Sequence, residues 1–238
     1  MSIINRPLPR EDSSGTLRDF LSVSSSNICI DLCLPVFESG GGTLLKGSVS
    51  ADTFRYPSET LATRDVRSAF YIQRLLSQEF TNDRFRLLSP NEFVRSYEIE
   101  NGDRIGFMFG SRSNEALKET AVRTRLDRLV KLHFDDRWEI EGQDGRKFSI
   151  RDPSKLSREE YVSQTDYAVI SRVHDPSGHP IFLIAGLGNR ATEGAGYFIL
   201  NRWIELQDRM GTDDFAVVLS FPPPVAPESV EVAACYRV

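Results

Sequence analysis

Apolar residues along this chain gather into short runs, and the spacing between them switches from period 2 to period 3.6 and back. Asn27 to Leu34 (N-I-C-I-D-L-C-L) reads as a buried strand that Pro35 ends. Thr63 to Phe80 reads as a helix whose apolar stripe runs through Val66, Ala69, Phe70, Gln73, Leu76 and Phe80, with only Gln73 breaking it. Arg84 to Leu88 is a short strand, and Ser89-Pro90-Asn91-Glu92 has the form of a helix start. Arg104 to Phe109 is a second buried strand, followed by a polar turn and a helix from about Glu115 to Leu129. Leu129 to Phe134 and the hairpin of Arg137 to Ile150, turning at Gln143-Asp144-Gly145, add β structure. Ser157 and Glu160 have capping-box spacing. Asp166 to Val173, a turn at Asp175 to Gly178 and the strand from Pro180 come next, the two strands reading as antiparallel neighbours. A glycine turn, a long amphipathic helix to Met210 and the buried strand Phe215 to Phe221 then lead to an edge strand over Val230 to Val238.

This order predicts an α/β fold: a three-layer Rossmann-like sandwich with a mainly parallel sheet and antiparallel hairpin additions. Residues 1–25 read as a polar N-terminal tail or connector with one apolar patch, Leu17 to Leu21. Residues 26–238 read as a single domain with a β-rich insert at about 129–165. Val36 to Ser58, with Gly40-Gly41-Gly42, reads as a long loop.

The net charge of −5 argues against general nucleic-acid binding, which calls for a basic stripe. No apolar run reaches the ~20 residues of a membrane span, and the N-terminus lacks a signal-peptide core, so a cytoplasmic protein is expected. Cys29, Cys33 and Cys235 offer neither a comfortable disulfide nor a zinc set and read as small, mostly buried residues. His133, His174 and His179 show no metal-ligand spacing and read as solvent-facing, so no metal is expected.

The candidate chemistry lies at two turns. Gly186-Leu187-Gly188-Asn189-Arg190-Ala191 matches G-x-G-x-x-[GA] between a strand and a helix. Gly186 permits a tight exit, Gly188 a close backbone approach, Thr192 can cap the helix, and Arg190 adds a cation beside free N–H groups. The alternative is close helix–sheet packing with Thr192 as cap and Glu193 offsetting the helix dipole. No acid at the end of the next strand could hold a ribose, which argues against NAD. Gly110-Ser111-Arg112-Ser113-Asn114 is the second turn, with Ser111, Arg112 and Asn114 as polar contacts or, alternatively, with Ser113 or Asn114 as helix caps. In a parallel sheet both turns share the carboxyl edge, where ligands bind. Asp31 within the first strand is costly unless paired, and could contact a ligand or hold a basic partner such as Arg64; the alternative is a solvent-facing strand position. Asp166-Tyr167 could brace the crevice. Glu193 and Asp31 are the candidate acid–base groups. No nucleophile elbow, phosphate loop or zinc-protease motif occurs.

Together, I-D-L-C-L-P-V, R-I-G-F-M-F-G-S-R-S-N and D-Y-A-V-I-S-R-V…I-F-L-I-A-G-L-G-N-R-A-T-E-G-A-G…D-F-A-V-V-L resemble an uncharacterised bacterial Rossmann-like domain family found beside signalling and defence modules. The resemblance spans about residues 27–221. The family's Pro is replaced within Gly110 to Asn114, and a Gly before Thr192 is absent. With the two Gly/Ser/Asn turns at helix starts and no visible nucleophile or base, the expected function is a sensor for a nucleotide or another small phosphorylated ligand, with a protein partner or homo-oligomer compatible with it, and the resemblance sets it in a bacterial signalling or defence system. It supplies no catalytic residue and no cofactor. A nucleotide- or nucleoside-cleaving enzyme and a scaffold domain with a lost pocket are the alternatives.

Overall fold

The computed structural model describes residues 15–25, 28–38, 53–55, 59–80, 84–99, 103–110, 114–133 and 137–238. Its centre is a mixed seven-stranded sheet. Three strands with parallel pairings follow the expected runs: β1 (Cys29–Cys33), β5 (Arg84–Leu88) and β6 (Arg104–Phe109). Before β5 the chain forms β2 (Val36–Glu38), β3 (Thr53–Arg55) and β4 (Glu59–Ala62), a small antiparallel sheet inside the stretch expected to be a loop. The second half contributes β10 (Asp166–His174), β11 (Pro180–Gly186), β12 (Phe215–Phe221) and β13 (Glu231–Arg237). The order is β13-β12-β10-β11-β6-β1-β5. From β5 to β11 the three pairings are parallel, and from β11 to β13 they are antiparallel. The parallel character therefore stops at β11.

Alternation along the strands fills two cores. Ile30, Phe107, Phe182 and Val217 face one side and pack on α1 (Leu17–Leu21), α2 (Thr63–Leu76) and α6 (Asn189–Met210). Cys33, Met108, Leu183 and Val218 face the other and pack with α3 (Pro90–Ile99) and α4 (Glu115–Thr124). Beside α4, β7 (Val130–His133), β8 (Glu139–Gly142) and β9 (Lys147–Ser149) form the expected meander. The Ser157 capping box opens α5 (Arg158–Val162).

Two elements differ instructively from the sequence pattern. The apolar patch in the N-terminal stretch is core: Leu17, Phe20 and Leu21 are buried. Arg172 of β10, fully buried, fixes this helix by donating to the main-chain carbonyl of Phe20, and to those of Gly211 (2.8 Å) and Asp213 (2.6 Å). In α2 the buried face is Asp65, Ser68, Ala69, Ile72, Leu75 and Leu76, whereas Phe70 is 61% exposed. The helix is rotated from its apolar stripe because it crosses α6 closely: a Cβ on Gly196 would meet Ser68 Oγ at 2.3 Å. That rotation turns Asp65 inward.

Candidate functional site

β1, β6 and β11 are parallel neighbours, so their carboxyl ends form one rim. The Gly110 and Gly186 turns both lie on it, and the Gly110 N–H donates to the Ile184 carbonyl at 3.2 Å. The chain leaves β1 through α2 on one face and leaves β6 through α4 on the other. The two connections thus leave for opposite faces at this rim, the topological position at which open α/β sheets take ligands, and the Pro35 ring and the Asp65 carboxylate pack there against Gly110.

The Gly186 turn departs from its expected role. Because β10 runs antiparallel beside β11, with Ala168 opposite Gly186, its first residue arrives at the same rim. That residue is Asp166, fully buried. Its carboxylate accepts from the N–H groups of Gly188 (3.0 Å) and Tyr167 (2.8 Å) and from the Tyr161 hydroxyl (3.1 Å), with the Ala191 N–H as a further donor. The anion site at the start of α6 is thus filled by the protein's own acid. Burial raises the Asp166 pKa to about 6, against the pull of these donors. A Cβ on Gly188 would sit 2.3 Å from Asp166 Oδ2 and 2.0 Å from the Tyr161 hydroxyl, which explains the glycine. Gly186 has no room either: its Cβ would lie 2.4 Å from the Gly188 carbonyl oxygen.

Several candidate residues take structural parts. Thr192 Oγ1 accepts from the Gly186 N–H at 3.0 Å, closing the strand exit and not the helix start. Asn114 is buried, and its side chain donates to the Phe109 carbonyl at 2.8 Å and contacts Cys33 Sγ; it makes no side-chain cap on α4. Glu193 is buried between Arg64 and Arg67, the latter at 3.5 Å. Asp31 is fully buried and bidentate to Arg86 (2.7 and 2.9 Å), its cross-strand neighbour, so the partner is Arg86 and not Arg64. Both candidate acid–base groups, Glu193 and Asp31, are thus ion-paired within the fold. Arg190 is half-buried at the first turn of α6, and its guanidinium forms no ion pair among the described residues. Ser111 and Arg112, with Ser113, lie outside the described residues, as does the side chain of Asn189.

Asp65, which by sequence suits the dipole at the start of its helix, is buried by the structure. It is 6% exposed, on the first turn of α2, and has no hydrogen-bond or ion-pair partner among the described residues. A Cβ on Gly110, whose φ is +87°, would lie 2.9 Å from its Oδ2 and 3.0 Å from the Pro35 ring. Asp65 therefore sits where the ends of β1 and β6 diverge. Burial alone pushes its pKa up to about 7. Beside it in the fold are Arg64 and Arg67, joined to Glu193 of α6. Cys33, at the end of β1, is fully buried with its thiol pushed up to about 12, mainly by burial, and is inert at neutral pH.

Other polar groupings lie away from this rim. His133, Glu139 and Glu141 place three ligand atoms within 4.8 Å of one another, a grouping formed across the strands and invisible to linear spacing. They already bond among themselves and to cations: His133 to Glu141 (3.2 Å) and Arg137, Glu139 to Lys147 (3.0 Å). His174 and His179 pair with Asp214 and Asp175. One cavity of about 150 Å³ lies between α3 and α4, and another of about 230 Å³ lies beside β8; neither is lined by a glycine of the two turns. No helix among the described residues is long and apolar enough to cross a membrane. No family model, curated protein or solved structure matches the chain.

Proposed function

We propose that this chain is a Rossmann-like, three-layer α/β binding module for a nucleotide or other small phosphorylated ligand, held in the crevice above β1 and β6. The carrying observation is Asp65, a buried acid without a partner among the described residues, where the two strands' connections diverge. An unpaired buried carboxyl costs stability, and such costs concentrate at binding and catalytic sites. Arg190, free of ion pairs on the same rim, suits a phosphate. The glycine turn that looks most like a phosphate cradle serves as a wall of this crevice, since Asp166 occupies its donors. A setting in bacterial signalling or defence rests on the family resemblance alone. Thermal-shift measurements with a panel of nucleotides and sugar phosphates test the proposal. At millimolar concentration at least one should stabilise the fold by ~1 kcal/mol or more; stabilisation by none of them refutes it.

A nucleotide- or nucleoside-cleaving enzyme is the second reading, favoured by one observation. A carboxyl titrating near neutrality is matched to general acid–base catalysis. Chromatographic turnover of nucleotides that disappears in Asp65→Asn, with the fold intact, supports it. Turnover that survives the substitution removes Asp65 from the chemistry.

A further inference from the structure

We infer that His133, Glu139 and Glu141 form a binding site for a divalent transition-metal ion of the zinc class, held on one face of the meander of β7, β8 and β9. The site is separate from the rim of β1, β6 and β11 and does not rest on the binding reading above.

Strand pairing assembles the set. His133 of β7 lies directly opposite Glu139 of β8, and Glu141 follows two residues along β8, so all three side chains project from one face. Leu132 and Ile140 between them project from the other face and join the core. One ligand atom from each of the three lies within 4.8 Å of the others, and among the described residues no other group of His, Cys and carboxylate side chains does this. The side chains of His133, Glu139 and Glu141 are only 19%, 12% and 27% exposed, which restrains them more than free surface acids. His133 Nε2 and Glu141 Oε2 stand 3.2 Å apart. Donors bound at about 2.0–2.2 Å to a tetrahedral zinc ion are about 3.3–3.6 Å from one another, so this pair already has nearly the required spacing. A side-chain rotation of Glu139 completes the set. One imidazole and two carboxylates are an N/O donor set, which suits zinc, cobalt or manganese and not the metals that call for thiolates.

The cations around the set are competitors of the metal. Lys147 holds Glu139 at 3.0 Å, Arg137 donates to His133 Nδ1 at 2.6 Å, and Lys131 lies opposite Glu141 across the strands. All three are exposed, and exposed pairs of this kind contribute little to stability, so a dication can displace them. With Arg137 at Nδ1, the ring proton sits on Nε2 and is donated to Glu141. A metal at Nε2 shifts that proton to Nδ1 and expels Arg137, with no net release of a proton. Three protein ligands leave a coordination position for water or a small anion. Glu141 also lines the cavity of about 230 Å³ together with Arg128 and Lys131, so space for such a molecule adjoins the ligand set.

Calorimetric titration of the metal-free full chain with Zn²⁺ in a non-chelating buffer tests this. One ion should bind per chain. His133→Ala and Glu139→Gln should each weaken binding at least about tenfold. Lys147→Ala keeps all three ligands and removes a competitor, so it should tighten binding several-fold. Cys235→Ser, which removes the exposed thiol, should leave binding unchanged. Co²⁺ in place of Zn²⁺ should give the visible absorption of an N/O site without a thiolate band, and His133→Ala should abolish it. Absence of Zn²⁺ binding overturns the inference. Binding that survives His133→Ala, that is lost in Cys235→Ser or that Lys147→Ala fails to tighten overturns it as well, because the ion is then held elsewhere.

Discussion

Replacing Asp65 by Asn should make the protein more stable at pH 8 and no more stable at pH 4. The carboxyl is 6% exposed and unpartnered, and its pKa rises from 3.8 to about 7 on folding. A raised folded-state pKa means that the native state binds the proton more tightly than the unfolded chain. The contribution to stability is then fully present below about pH 4 and is lost as the pH climbs to 7. The difference corresponds to about 4 kcal/mol at high pH. Two effects reduce what Asn recovers. The positive end of α2 favours the ionised acid by roughly 0.3–1 kcal/mol, and the new amide lacks an acceptor, at about 1 kcal/mol or more. A net gain of about 2 kcal/mol at pH 8 remains. For a chain of this size that is roughly 4–8 °C in melting temperature. Urea unfolding of both proteins at pH 4, 6 and 8 measures it, with the gap opening between pH 4 and pH 8. A variant equally or less stable than wild type at pH 8 would show that Asp65 has a partner in the native state and would refute the reasoning. Most buried acids lose stability when neutralised, so the sign is the discriminating result.

Three further substitutions or reactions probe the frame of the site. Gly188→Ala drives a Cβ into Asp166 Oδ2 and the Tyr161 hydroxyl, and should cost about 1–3 kcal/mol in urea unfolding; a neutral effect would mean that α5 moves aside freely. Arg172→Met strips hydrogen bonds from the carbonyls of Phe20, Gly211 and Asp213 and should cost about 3–5 kcal/mol, with proteolysis near α1 as the first sign of loosening. Cys33 should resist a thiol reagent until the protein unfolds, whereas the exposed Cys235 should react in the native state; counting released thiolate under both conditions checks this.

Strand runs and helix starts were legible because burial on both faces of a sheet leaves near-continuous apolar sequence, as in Arg104 to Phe109 and Phe215 to Phe221. The site was less legible. Residues with a recognisable spacing, Gly186, Gly188 and Thr192, do lie at a functional-looking rim, yet their spacing describes backbone packing equally well. Asp65 escaped because the phase of α2 was taken from Val66 and Phe70. The true buried face includes two polar residues, Asp65 and Ser68, placed by the approach of Gly196 and not by hydrophobicity. For Asp31 the sequence leaves a paired and a solvent-facing position open, and the structure buries it in a pair. Arg86 could not be distinguished from Arg64 without the register of β1 against β5. The triad of His133, Glu139 and Glu141 likewise exists only across the pairing of β7 and β8.

One topological choice accounts for the difference between the two turns. A strand that runs antiparallel to its neighbour begins where the neighbour ends, so its first side chains reach the neighbour's exit turn. β10 does this to β11, and Asp166 is the side chain delivered. The Gly110 turn is protected from the same fate because β6 lies between β1 and β11, both parallel to it. Among the described residues, no strand of the seven-stranded sheet that runs antiparallel to β6 starts beside it. An acid can reach Gly110 only from a helix that begins beside it, and α2 supplies Asp65 in that way, without the surrounding N–H donors that Asp166 has. Two buried acids thus stand on one rim with different fates. The donors around Asp166 hold its charge, whereas Asp65 has no hydrogen-bond donor among the described residues. The Gly186 signature therefore marks a turn whose donors the protein itself uses, and the less distinctive Gly110 turn marks the one that holds an acid without them.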